Sequence, residues 1–263
     1  MKGYAAEIWG CRHFWLSLVK MDLQTRYRRS VLGIGWSLLH PIGTTLVLCA
    51  VFHEIFHMSI REFVPFLMTG LAWWAFVTGV VSRGCQCFVE AESYIRQHPL
   101  PMAIYPLRAV LGAMIHLLIA LIVALLLSWC LTGFNNLTTL PLLLPGLALL
   151  LIFGWAVAVI AGYVNTIFRD IQHLTDILFQ ILFYLTPIMY KPEILVETRM
   201  GWVLTCNPLA HLLKLIRDPI VGGVGGHFPS WRAYAAATGT VVLVTGIAVM
   251  LLGRLQRKVI LYL

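Results

Sequence analysis

Few residues in this chain are equipped for chemistry, and those few are poorly grouped. Asp and Glu together number 11 in 263 residues, so any acid and base pair must come from a very small set. Glu90 and Glu92 are two positions apart, which on a helix turns them to different faces and leaves no shared proton-transfer task. Glu193 and Glu197 have the spacing of one helix face but fall in a polar loop, where they read as solvated charges. No pair of aspartates is spaced to hold a metal and a nucleotide sugar, which argues against a membrane glycosyltransferase or polymerase. Cys11, Cys49, Cys85, Cys87, Cys130 and Cys206 contain no CxxC pair, so no metal site and no disulfide framework are expected. Gly222, Gly223, Gly225 and Gly226 form a glycine run, but the lysine of a phosphate-cradling loop is missing. The expectation is a chain without catalytic residues or cofactors of its own.

Positive charge and aromatic rings are plentiful by comparison. Lys and Arg number 19, giving a formal net charge of +8 and a pI near 9.4. In so apolar a chain such charge sets topology and meets anionic headgroups, and no basic, aromatic-interleaved surface is long enough for nucleic acid. Arg26, Tyr27, Arg28 and Arg29 make the densest cluster. His116 stands alone in an uncharged stretch. With no carboxylate there to complete a proton relay, its ring is expected to be satisfied by a neighbouring helix.

The elements that position these groups are helices suited to lipid. The chain is 60% hydrophobic and 11% charged, with a mean hydropathy of +0.85, outside the range of ordinary soluble domains. Runs of about 20 apolar residues match a hydrocarbon core about 30 Å thick. Spans are predicted at 36–56, 64–82, 109–131, 142–165, 175–190 and 234–252, an all-α integral membrane fold of six transmembrane helices. Pro41 interrupts the first. Residues 7–21 gather Ile8, Phe14, Trp15, Leu18 and Val19 on one arc, which predicts an amphipathic interface helix. The segment 83–108 begins as a short helix, but Pro99, Pro101 and Pro106 argue against helix in its second half. Between the fifth and sixth spans, the apolar pieces of 191–232 are too short to cross and fit short re-entrant or interfacial helices.

One domain, 1–263, is expected, with the interface helix in 1–30 and the six-span bundle in 31–263. The N-terminus lacks the features of a signal peptide and is expected to remain. Lys2, Arg12, Lys20, Arg26, Arg28 and Arg29 precede the first span, Arg83, Arg96 and Arg108 lie between the second and third, and Arg254, Arg257 and Lys258 follow the sixth. This bias places both termini in the cytoplasm. The spans hold almost no charge near mid-membrane, and the chain has no phosphate loop, so energy is expected from a partner ATPase rather than from an ion gradient.

Several short patterns also occur in one order: TRYRRSVLGIGWSLLHP at 25–41, a proline-rich loop after the second span, FRD at 168–170, LTPIMY at 185–190 and NPL at 207–209. Together they resemble, over essentially the whole chain, the permease subunit of type 2 ATP-binding-cassette exporters of the O-antigen, capsular polysaccharide and teichoic acid group. The resemblance implies a multi-pass protein of the bacterial inner membrane that forms a conduit as a homodimer. It also implies two copies of a nucleotide-binding ABC ATPase subunit, which binds the ATP and Mg, and a lipid-linked polysaccharide as substrate, O-antigen of lipopolysaccharide biosynthesis or capsule. ATPase docking then falls to the interface helix 8–22. Coupling falls to the cytoplasmic gate segment 83–102, with Glu90, Glu92 and Arg96, and to Arg169 and Asp170 of FRD; the outer gate falls to Asn207 and Pro208. For such a substrate, Trp73, Trp74, Phe76, Phe183, Tyr184 and Tyr190 are candidates for a surface on which sugar C–H faces slide. Arg26, Arg28 and Arg29 are candidates to receive a lipid pyrophosphate, alongside membrane lipid headgroups. A drug or antibiotic efflux permease on the same scaffold is the nearer alternative, and a membrane enzyme of lipid-linked sugar metabolism the farther one.

Overall fold

The computed structural model describes residues 2–28, 30, 33–56, 59–97, 100–134, 136–192, 201–222 and 230–262. All regular structure in these residues is helical. Two helices precede the bundle, α1 (Lys2–Gly10) and α2 (Arg12–Tyr27), parted at Cys11, so the amphipathic helix expected over 7–21 is broken near its start. Leu18 and Val19 are the buried residues of α2, which packs on α6 (Ile104–Thr132).

The remaining helices are α3 (Trp36–Phe56), α4 (Ile60–Gln86), α5 (Glu92–Gln97), α7 (Leu143–Ile167), α8 (Ile171–Leu185), α9 (Gly201–Cys206), α10 (Pro208–Val221) and α11 (Trp231–Tyr262). Four stretches are long and apolar enough to cross a bilayer: Ile60–Gln86, Ile104–Thr132, Leu140–Ile167 and Trp231–Arg254. The shortest of these has 24 residues, which at about 1.5 Å per residue covers about 36 Å. The chain is thus a multi-pass membrane protein. The other two crossings read from the sequence rest on α3, apolar over Leu38–Glu54, and on α8, both shorter.

Local chemistry explains where helices stop. α8 ends at Leu185 because Thr186 turns extended, φ −97° and ψ 133°, as a residue before proline prefers; the expected span over 175–190 therefore begins earlier and ends sooner. α6 starts at Ile104 and takes Pro106 into its first turn, where a missing N–H has no intrahelical partner to lose. The second half of 83–108 is thereby partly helical, against the sequence reading.

α4 is the hub. It packs against α3, α6, α7, α8 and α10, and 67% of its most apolar window is buried, against 22% for that of α11. α4 is thus the bundle's axis, while α11 leaves most of its surface outward. α4 and α7 approach at Gly84 and Gly162: a Cβ on Gly84 would lie 2.8 Å from Ala158 Cα, and one on Gly162 would lie 2.9 Å from Gly84 O. Only glycine permits backbones this close. At that level Asn165 Nδ2 donates to Cys85 O (2.8 Å).

Candidate functional site

One end of the bundle gathers α2, α5, the start of α6 and the α7–α8 turn. Here Arg108 of α6 donates through Nε and Nη2 to both carboxylate oxygens of Asp22 on α2. Next to Arg26, Tyr27 Oη lies 3.3 Å from the His116 ring nitrogens, with ring centroids 5.7 Å apart. The lone histidine is therefore satisfied from α2, as a neighbouring-helix partner requires. His116 also lines a cavity of about 220 Å³ between α2, α3, α4 and α6, together with Arg26, His40, Arg83, Trp36 and Phe76. Among the described residues no carboxylate lines it. Two guanidiniums facing one space, with the Asp22 and Glu90 carboxylates outside its lining, suit an anion with several oxygens, which accepts charge-assisted bonds.

Of the three arginines singled out in the sequence, Arg26 lines this cavity, Arg28 is exposed just past α2, and Arg29 lies outside the described residues. Arg83 and His40 were visible in the sequence only as isolated polar residues near span ends. Their convergence is a tertiary fact with no linear signal.

The coupling candidates sit at the same end, on the surface. Glu90 is exposed in the turn after α4, and Glu92 pairs with Arg96 one turn along α5 at 2.8 Å. Both are substantially exposed, so the pair fixes little by itself. Arg169 and Asp170 are exposed in the α7–α8 turn. Gln86 donates to Gln172 and so joins the end of α4 to the start of α8. The turn between α4 and α5 is anchored by Phe88, whose ring lies 4.9 Å from that of Tyr163. Burial, helped by Cys85 and Glu90, holds the Cys87 thiol well above its ordinary range, which makes it an inert core group rather than a nucleophile. Among the described residues, no three His, Cys, Asp or Glu side chains are placed to hold a metal ion.

The aromatic candidates divide. Trp73 and Phe76 are enclosed in the main core. Trp74, the next residue, is half-buried, with its ring 5.8 Å from Phe179 and 5.5 Å from Phe183 of α8. Phe183 meets Tyr184 at 5.5 Å, Tyr184 is 66% exposed, and Tyr190 Oη donates to Tyr184 O (3.0 Å). Burial raises the Tyr190 phenol above its usual value, so it stays a neutral donor. No described residue of α8 is fully buried. Its outward face carries His173, Asp176 and Gln180 among Leu174, Ile177 and Ile181, a mixed strip left uncovered by this chain.

The opposite end holds α9 and α10. Asn207 caps α10, accepting from Leu209 N (3.0 Å), while Pro208 takes the first helical position. The same amide donates to Thr186 Oγ1 (3.0 Å) and Leu185 O (3.3 Å), which joins NPL to LTPIMY. At the far end of α10, Asn136 Nδ2 and Ser128 Oγ donate to Ile220 O, and Thr139 Oγ1 donates to Pro219 O. A helix that ends inside a bundle needs partners for its last carbonyls, and these three side chains supply them. α10 packs on α4, α6, α7 and α11. Of the loop features read from the sequence, Glu193, Glu197 and Gly223, Gly225 and Gly226 lie outside the described residues.

The family model for the ABC-2 type transporter matches residues 13–221. The chain is 26% identical over 235 residues to an O-antigen export system permease protein RfbA of Klebsiella pneumoniae, covering 88% of each. A protein of the same name from Myxococcus xanthus is 27% identical over 209 residues, 79% of this chain and 80% of the relative. The polysialic acid transport protein KpsM of Escherichia coli is 24% identical over 210 residues, 79% and 81% respectively.

Proposed function

The chain belongs to the ABC-2 type transporter family, and on that premise we propose that it is the membrane subunit of an ATP-driven exporter of lipid-linked polysaccharide. The observation that carries the reading is the likeness, over 88% of both chains, to permeases named for O-antigen export. Neither an efflux permease for small drugs nor a membrane enzyme of lipid-linked sugar metabolism has such support. The chain sits in the bacterial inner membrane with both termini in the cytoplasm, α3 and α8 completing six crossings.

Two copies line the conduit, and two copies of a nucleotide-binding subunit dock against α2, α5 and the FRD turn. The anionic linkage of the lipid carrier enters between Arg26 and Arg83. The geometry suits this because a pyrophosphate offers many acceptor oxygens to guanidiniums that have none of their own. The glycan then follows the edge of α8, where Trp74, Phe183, Tyr184 and Tyr190 present ring surface; sugars hold such surface through C–H contacts and leave it easily. The mixed strip on α8 faces the second copy. α9 and α10, packed as a re-entrant pair, close the outer end at Asn207 and Pro208. ATP-driven closure of the partner subunits pushes on α2 and α5, and the Asp22 to Arg108 pair passes that push to α6.

The decisive experiment is deletion of the gene in its native host, with complementation in trans. Polysaccharide should accumulate on its lipid carrier inside the cell and vanish from the surface. Normal surface polysaccharide in the deletion strain would reject the reading.

A further inference from the structure

Arg217 lies in the middle of the most enclosed stretch of α10 and is 5% exposed. Its guanidinium crosses to α4, where it lies 3.8 Å over the Phe66 ring in the space left by Gly70. A side chain on Gly70 would collide with Arg217 Nη2 and would stand 3.2 Å from Ile188 O. From this slot Nη1 donates to Pro187 O (2.5 Å) and Nη2 to Ile188 O (3.0 Å). Both carbonyls belong to the non-helical segment after α8. Among the described residues Arg217 makes no ion pair, and its Nε has no acceptor.

An arginine enclosed in this way is costly unless its donors are used. A neutral group could tie the same segment, since Asn207 already ties Thr186 and Leu185 from the other end of α10. What the charge adds is a strong but exchangeable hold. Carbonyls and a ring face, with the Coulombic pull of the neighbouring Asp218 carboxylate, compensate the guanidinium without a direct ion pair, so the bonds break when water reaches the site. The contact also spans three elements, α4 at Phe66 and Gly70, the end of α8, and α10. Separation of any one of them opens it.

We propose that Arg217 is the positioning residue of the outer closure: seated in the Gly70 slot, it holds 186–188 against α4 and α10, and the transport cycle advances by unseating it. This rests on reading the chain as the permease of an ATP-driven exporter. It adds a residue, and a release step, to the Asn207 gate.

The test uses the complete complex with its ATPase subunit in right-side-out membrane vesicles, loaded or not with ATP and an ATP-regenerating system. Cys206 and Cys130 are replaced by serine, and Met189→Cys serves as reporter for a membrane-impermeant maleimide. With Arg217 present, labelling should be slow and should quicken about tenfold when ATP is supplied. Arg217→Met should label fast with or without ATP, because methionine fills the slot but bonds neither carbonyl. Arg217→Lys should restore slow, ATP-dependent labelling in part. A purely structural arginine would leave the ATP dependence intact, so an unchanged ATP response in Arg217→Met overturns the proposal. If Arg217→Met fails to reach the membrane, Gly70→Ala replaces it, since the added methyl displaces the guanidinium and keeps its charge. Fast, ATP-independent labelling is again expected, and native-like labelling again overturns the proposal. Polysaccharide export is assayed in the same cells. The predicted labelling pattern in cells that export no polysaccharide supports the role of Arg217 and rejects the substrate alone.

Discussion

Arg108 and Asp22, 86 residues apart in the chain, close a two-armed ion pair that fastens α2 to the first turn and a half of α6. Both side chains are partly screened from water, at 15% and 36% exposure. The pair therefore contributes more than a surface salt bridge, yet less than a fully buried one. Asp22→Asn and Arg108→Met should each weaken ATP-driven export, and the double variant should be scarcely worse than either single one. A coupling energy of about 1 kcal/mol in thermal unfolding of the detergent-solubilised protein is expected. Strictly additive losses would mean that the two residues act separately.

Arg26 and Arg83 face one cavity with no carboxylate in its lining among the described residues. Replacing either with alanine should raise, by about tenfold, the concentration of lipid pyrophosphate that half-maximally stimulates ATP hydrolysis by the complex, the equivalent of about 1.4 kcal/mol. Lysine at either position should recover part of the loss, since it keeps the charge but not the fork. Equal stimulation of all variants would remove the cavity from the substrate's path.

Glu90 and Arg96 lie exposed and Glu92 partly exposed in and beside α5, where their loss should cost the isolated subunit almost nothing. Alanine at all three should leave its melting temperature within about 1 °C while raising the number of ATP molecules hydrolysed per unit of polymer exported. Unchanged coupling would displace the partner's docking site from this loop.

Asn207 has two duties that substitution can separate. Serine should keep the cap on Leu209 N but lack the reach to Thr186; alanine should lose both. Alanine should lower stability by about 1 kcal/mol, and serine by clearly less, while both weaken outer closure, read as faster maleimide labelling of Met189→Cys. Native-like labelling of the serine variant would assign Asn207 to capping alone.

The cysteines provide a check on sidedness. Cys206 is exposed and Cys87 is enclosed with a raised pKa. A raised thiol pKa leaves the unreactive protonated form in place as pH climbs from 7 to 8.5, so Cys87 should resist maleimide throughout. Cys206 should react, and in right-side-out vesicles only with reagent added outside. Labelling of Cys206 from the cytoplasmic side would invert the proposed topology.

Much of the architecture was legible in the linear chain. A helix in lipid must present about 20 apolar residues in succession, so hydropathy alone located the spans at 64–82, 109–131, 142–165 and 234–252, each inside a longer helical stretch able to cross a bilayer. Proline and its preceding residue set local backbone angles, so the break after Leu185 has a local signal in Thr186 and Pro187, although the span was read through it to 190. The capping role of Asn207 before Pro208 is likewise local. The motifs LTPIMY and NPL were each readable, although their junction through Thr186 was not.

Only the packed bundle decided which side chains meet. Trp73 and Trp74 are equivalent in composition and hydropathy, yet one is enclosed and the other meets α8, because a helix apolar on all faces carries no periodic signal to rank them. Arg217 looked like one more charge in a loop until α4 brought Gly70 and α8 brought two carbonyls around it. Arg26, Arg83, His40 and His116 come from four different helices. The sequence by itself determined which segments belong in lipid and where they turn, because apolar burial and backbone sterics act over a few residues. The tertiary structure alone decided the cavity, the α2 to α6 pair and the arginine slot, because contacts between residues some 30 to 150 positions apart depend on how helix faces interlock.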